Sequence, residues 1–539
     1  MRRRAFLRRS TLGAAAVFTP TLLGRSAKHS REAAHPGVKP FELDETDIPE
    51  LQAGLNSGKF TAVGLVKKYT SRIERIDRQG PAIRSVIELN PDAREIATRL
   101  DEERRAGTVR GPLHGIPVLI KDNIDTGDRM NTTAGSLALE GSPAPGDAFV
   151  VERLRRAGAV LLGKTNLSEW ANFRGSRSTS GWSARGGQTL NPYVLDRNPS
   201  GSSSGSAAAV AASLCAVAVG TETDGSILSP ASYNGIVGLK PTVGLVSRSG
   251  IIPISRSQDT AGPMGRTVTD VAILLGAMTG VDSGDAATEE SREQVRRDYT
   301  SFLQVDGLRG ARIGVARQYF RFPERVASIF SEAIAALKSA GAELVDPVQA
   351  PGFSGFGSHE SLVLQYEFKT GLNKYLAARK GARARTLKEL IDFNERFRAQ
   401  EMPWFGQEHL VQSEGRGPLT DQVYLDALEA TRRLTRKEGI DAAMDEHRLD
   451  AILVPSGGPA HVTDLLLGDS GMGSGYSVAA AAGYPSITVP AGNLHGLPVG
   501  IAFLGRAWSE PALLRIAYAF EQATRFRRPP RFRATITAT

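Results

Sequence analysis

The sequence predicts an α/β domain: a large mixed β-sheet flanked by helices on both faces, with a helical cap region. Three observations predict it. Short apolar runs at 118–120 and 159–162 read as buried strands, with 150–157 as a helix between them. The rhythm continues through 207–214, a run of helix formers without Gly or Pro, into 215–219, a short buried strand ending at Gly220. Residues 358–448 are mostly helical and more charged, which suits a cap that shapes access to a site.

The chain has 539 residues and a net charge of +9, but residues 1–34 alone carry +7. The remaining +2 gives no reason to expect a nucleic-acid partner. Arg3-Arg4-Ala5-Phe6-Leu7, followed by the modest apolar segment 11–23, resembles a twin-arginine export signal. That segment falls short of the about 20 apolar residues that span a bilayer, so stable membrane association is not expected. The expected destination is periplasmic or secreted, after removal of about 25–35 residues, leaving 35–539 as the functional domain. A basic tail without an address is the alternative. Cys215 is the sole cysteine, so no intrachain disulfide forms, and export of an already folded chain accounts for that.

Further elements follow in order. Segment 61–78 places Val63, Val66, Ile73 and Ile76 on one helical stripe, and 92–105 is a second, charged helix. In Gly115-Ile116-Pro117-Val118-Leu119-Ile120-Lys121-Asp122-Asn123 the lysine stands at the end of a buried strand; His114, upstream of Pro117, reads as structural. Residues 163–166 read as a turn leading into 167–173, where Trp170 and Phe173 are core candidates and Asn172 a polar contact. A cap-like insertion is expected around 285–450, although 306–348 resumes strand and helix; Tyr366, Phe368 and Trp404 are candidate pocket walls. Segment 451–455 and the later apolar runs read as closing strands, and Arg525, Arg527, Arg528, Arg531 and Arg533 as a solvated tail.

Two serine-glycine loops bracket the central helix and strand: Ser200-Gly201-Ser202-Ser203-Ser204-Gly205-Ser206 and Gly220-Thr221-Glu222-Thr223-Asp224-Gly225-Ser226. One helix and one strand fold back on each other, so Ser202 and Ser226, 24 residues apart, can meet. Small side chains admit a substrate closely, and glycines free backbone N–H groups to face it; this is a way to build an acyl-transfer site. A phosphate loop would need a Gly-Lys-Ser or Gly-Lys-Thr ending, which is missing. Gly201-Ser202-Ser203-Ser204-Gly205 does spell G-x-S-x-G around Ser203, with His461 or His495 as possible bases. That elbow needs a strand immediately before it, whereas the chain arrives through Asn191-Pro192 and Asn198-Pro199, which is loop chemistry.

The two loops resemble the amidase signature family of serine hydrolases, whose pattern is GGSSGGS, a spacer, then GT[DE]xGGS[IV]. The likeness covers roughly residues 45–530 and is weakest in the cap; GIPVxxKDN matches the family's lysine segment. LSEWANFRG and SGWSARGGQTLNPY narrow it toward the peptide amidase branch, enzymes that remove the amide at the C-terminus of a peptide. The resemblance implies the amidase signature fold, Ser226 as nucleophile, Ser202 on a cis peptide bond as the bridging serine, and Lys121 as base. It also implies an oxyanion hole from the backbone N–H groups of Thr223, Asp224, Gly225 and Ser226. A lysine near its ordinary pKa of about 10.4 is charged at neutral pH; lowering it by about three units takes roughly 4 kcal/mol, which burial at a strand end supplies.

Asn172, Ser203 and Asp224 are the substrate-pocket candidates. Ser204 and Asp224 depart from the family pattern, where glycine is common. A charged Asp224 would disfavour carboxylate ligands, two charges roughly 6 Å apart repelling by about 3 kcal/mol at an effective dielectric near 20; the alternative is that it bonds its own loop. No cofactor or metal is expected, since no clustered Cys/His set exists, and no obligatory protein partner. The expected substrate is a small-molecule or short-peptide amide. Other readings are a broad-specificity aliphatic or aryl amidase, a tRNA-dependent amidotransferase subunit, the Ser203 esterase and an exported solute-binding protein.

Overall fold

The β-sheet that organises the chain is mixed and central. The structure is a computed structural model describing residues 38–537; the export signal and the boundary at residue 34 lie outside the described residues. In chain order the strands are β1 (Val86–Leu89), β2 (Pro117–Lys121), β3 (Val160–Thr165), β4 (Trp182–Ser183), β5 (Gly187–Gln188), β6 (Val217–Glu222) and β7 (Val237–Lys240). There follow β8 (Thr260–Gly265), β9 (Arg312–Val315), β10 (Glu343–Val345), β11 (Ala451–Pro455), β12 (Ser486–Leu494) and β13 (Leu497–Leu504). Apart from the two-stranded ribbon β4–β5, they form one 11-stranded sheet in the order β1-β3-β2-β6-β8-β7-β12-β13-β11-β9-β10.

β2 runs parallel to both β3 and β6, with Lys121 opposite Thr165 and Ile120 opposite Val219. These strands are buried along their whole length, as parallel strands covered on both faces are. Their carboxyl ends lie side by side, where α/β sheets place their ligands. Antiparallel β8 pairs Thr260 with Glu222 and so brings Asp259 against the second serine loop.

Two strands run further than their sequence implies. β6 passes through Gly220 to Glu222, and β3 occupies 163–165, read above as part of a turn. The glycines there serve close approach: a Cβ on Gly220 would stand 2.8 Å from Met264 Sδ and Ser203 Oγ, and one on Gly163 only 2.3 Å from the Glu88 carbonyl. The expected cap is also narrower than 285–450, because β9 and β10 join the sheet at its edge. What remains is helical, led by Gly357–Ala378, Leu387–Arg396, Glu408–Glu414 and Gln422–Arg432.

These cap helices own a separate core. Phe368, Leu372, Leu376, Leu387, Leu390 and Phe393 pack with Leu167 and Trp170, which follow β3. Trp170 is core, as expected, and so are Tyr366 and Phe368, two of the three candidate pocket walls, while Trp404 is 44% exposed. Arg527 is no solvated residue either. Its guanidinium pairs with Glu45 at 2.7 Å and donates to the Gly235 carbonyl, tying the C-terminal segment to the start of the described chain.

Candidate active site

Lys121 is fully buried at the end of β2. Its Nζ lies 2.7 Å from Ser202 Oγ, 2.9 Å from Thr221 Oγ1 and 3.2 Å from the Thr221 carbonyl. Thr221 Oγ1 also accepts from Asn123 Nδ2 at 3.0 Å. Burial pulls the Lys121 ammonium down to about 7, and the charges of Glu222 and Asp259 only partly oppose it.

The two serine loops meet. The Gly201–Ser202 bond is cis, and next to it the Ser203 N–H donates to the Ser226 carbonyl at 3.1 Å. Ser202 also accepts at its carbonyl from the Ser168 N–H at 3.1 Å, which holds the loop after β3 against it. Ser226 is 8% exposed, the small opening expected of a group that meets a ligand. Gly225 precedes it with φ +76°, and a Cβ there would lie 2.3 Å from the Tyr476 ring, so only glycine fits.

Glu222, at the end of β6, organises the turn that carries Ser226. Its buried carboxylate accepts from the N–H groups of Ile227 at 2.7 Å and Leu228 at 3.0 Å, satisfying the first turn of the following helix. By contrast, the N–H groups of Asp224 and Ser226 meet no acceptor among the described residues. Backbone donors in a buried loop are rarely left unpaired. These two and the Thr223 N–H, which also meets no acceptor there, are three of the four donors expected of an oxyanion hole; the Gly225 N–H lies against the Glu222 carboxylate instead.

Ser203 is not a pocket residue. It is wholly buried, its hydroxyl donates to the Thr221 carbonyl at 3.0 Å and accepts from the Thr221 N–H at 3.2 Å, and neither His461 nor His495 bonds to it. No strand precedes it, so the elbow is not formed. Asn172 is half-buried in a left-handed turn (φ +70°), its Oδ1 taken by Ser178 Oγ at 2.8 Å. Asp224 Oδ1 is buried without a hydrogen-bond partner among the described residues, and the Ser477 side chain stands close enough to favour the carboxylate. Burial, then the charge of Glu222, pushes the Asp224 carboxyl up to about 7, so the reading that needs a charged Asp224 has only a part-charged group to work with near neutral pH.

A cavity of about 190 Å³ adjoins the site, bounded by Asn123, Thr221 and Thr223 on one side and by Ile251, Ile252 and Ile254 on another. Asp259 lines it too. Thr223 Oγ1 donates to Asp259 Oδ1 at 2.5 Å, while Oδ2 accepts the N–H groups of Ile254 and Ser255, both at 2.8 Å. Burial raises Asp259 to about 6. Sequence reasoning held Thr221 and Glu222 within the second serine loop and gave no role to them, to Gln258 or to Asp259. Glu360, in the weakly matching cap, carried no signal.

A mixed 11-stranded sheet with a buried lysine at a parallel strand end, bonded to one of two facing serine loops, defines the amidase class of hydrolases. The chain belongs to the Amidase family, whose model matches residues 64–514. The native peptide amidase from Stenotrophomonas maltophilia superposes with a TM-score of 0.87 at 52% identity, covering 92% of this chain and 100% of that one. An Arabidopsis thaliana protein described as a probable amidase is 44% identical, covering 91% of this chain and 92% of its own. One component of the glutamyl-tRNA(Gln) amidotransferase from Acinetobacter baumannii is 34% identical over 90% of this chain and 97% of that protein. The chain is therefore an amidase.

Proposed function

We propose that this amidase hydrolyses the C-terminal carboxamide of short peptides to the acid and ammonia, through an acyl-enzyme on Ser226. The observation that carries the reading is the contact between Lys121 Nζ and Ser202 Oγ at 2.7 Å in a fully buried setting. A neutral amine has two N–H donors and one lone pair. With the donors on the Thr221 carbonyl and hydroxyl, the lone pair faces the Ser202 hydroxyl, which donates to it. Ser226 attacks the carbonyl carbon as its proton moves to Ser202 and that of Ser202 to Lys121. The oxyanion takes the N–H groups of Asp224 and Ser226, preorganised donors that need no reorientation. The proton returns through Ser202 to the leaving nitrogen, and ammonia departs. Water then cleaves the ester by the same relay.

The 52% identity to a peptide amidase over nearly the full chain supports the peptide-amide preference. The cavity walled by Ile251, Ile252 and Ile254 offers an apolar seat for the acyl group's side chain. The competing readings, a broad aliphatic or aryl amidase and an amidotransferase component, predict different substrate orders. Ammonia release from an N-blocked dipeptide amide should exceed that from a small aryl amide by roughly tenfold or more in kcat/KM, with no turnover of the peptide acid. Equal or faster turnover of the aryl amide would favour the broad amidase.

A further inference from the structure

The Asp224 N–H shares a peptide group with the Thr223 carbonyl. A trans peptide is planar, with its C=O and N–H on opposite sides, so whatever holds the carbonyl also aims the N–H. The Thr223 carbonyl accepts from Gln258 Nε2 at 3.3 Å. The same NH₂ group donates to Glu360 Oε1 at 2.8 Å. Gln258 is 1% and Glu360 7% exposed, and Glu360 stands in the first turn of the cap helix Gly357–Ala378. Both contacts are acceptors, so only the NH₂ side of the Gln258 amide can face them. Next in the chain, Asp259 holds the Thr223 hydroxyl. Residue 223 is thus gripped by its carbonyl and by its side chain.

We propose that Gln258 and Glu360 are positioning residues for the oxyanion: through one carboxamide, the cap helix sets the direction of the Asp224 N–H. This rests on the reading of Ser226 as nucleophile. Neither side chain touches the reacting atoms, so the effect belongs in the transition state rather than in substrate binding. Deleting an oxyanion donor outright costs about 10²–10³ in kcat; misaiming one costs less.

Gln258→Met, of similar length but without the donor, should lower kcat on a peptide amide by roughly 10- to 100-fold with KM nearly unchanged. A peptide aldehyde, which adds to Ser226 and forms a tetrahedral oxygen, should lose affinity by a similar factor, whereas a non-covalent peptide ligand should not. Glu360→Leu should reproduce part of the loss, Glu360→Gln should restore most of it, and Gln258→Met/Glu360→Leu should be no worse than Gln258→Met alone. Unchanged kcat in Gln258→Met would overturn the proposal. So would equal weakening of the aldehyde and the non-covalent ligand, or additive effects of the two substitutions. Fluorophosphonate labelling of the wild type separates the two levels. No adduct on Ser226 defeats the nucleophile reading, while an adduct together with a fully active Gln258→Met defeats the positioning alone.

Discussion

In the proposed mechanism Lys121 is the base, and its charge state is a contest of two effects. Burial disfavours the ammonium; Glu222 and Asp259 favour it; burial wins, leaving the group at about 7. If neutral Lys121 is the base, kcat/KM should rise with pH through an acid limb near 7. Removing one of the opposing charges lowers the lysine further. Asp259→Asn, whose oxygen can keep the Ile254 and Ser255 N–H groups while its NH₂ turns to the Thr223 hydroxyl oxygen, should therefore move that limb to lower pH by on the order of half a unit. A limb that stays in place or moves up in the pH–rate profile would show that Lys121 does not govern it.

At the scale of elements, the cap helix Gly357–Ala378 is held to the sheet by polar side chains. Glu367 accepts from Ser255 and Ser257, Tyr375 donates to Asp125 at 2.7 Å, and Arg379, just past the helix end, pairs with Asp125 at 2.9 Å. The short helix Arg398–Glu401 adds Glu401, which accepts from the Ser136 hydroxyl at 3.1 Å and the Leu137 N–H at 2.8 Å and lies against the buried Glu169–Arg174 pair. Burial, then the Glu169 charge, raises Glu401 to about 9. The native state therefore keeps a proton that the unfolded chain releases, and stability falls as pH rises from the ordinary carboxyl range toward 9. Glu401→Gln keeps the acceptor and donates to Glu169. The loss of stability between pH 6 and pH 8.5, measured by urea unfolding, should be smaller in the variant than in the wild type by on the order of 2 kcal/mol. Parallel profiles would place the proton elsewhere.

The same elements show what the sequence carried and where it stopped. The strands around the site were legible because β2, β3 and β6 each begin as an apolar run, and Lys121 stands at the end of the first. Strand ends were not, since Gly163 and Gly220 look like turns and are in fact close-packed strand positions. The cap's inward face was hidden because Glu360, Glu367 and Tyr375 bond to the loops after β2 and before β8, and charge in a helix ordinarily reads as solvent-facing. The roles of Gln258 and Asp259 depend on β8 lying beside β6, a pairing that no local pattern encodes.

For the molecule as a whole, the address remains a proposal drawn from Arg3 and Arg4 ahead of a short apolar run. Replacing both by lysine should leave the precursor inside the cell, and unchanged export would remove the twin-arginine reading. The central claim is that two serine loops and one buried lysine act as a unit on Ser226. The measurement that tests it most directly is steady-state turnover of one peptide amide by Ser226→Ala and Ser203→Ala beside the wild type. Ser226→Ala should lose several orders of magnitude in kcat, on the scale of deleting a catalytic nucleophile, while Ser203→Ala, which loses only its bonds to β6, should keep most of its activity. An active Ser226→Ala beside a dead Ser203→Ala would contradict the account.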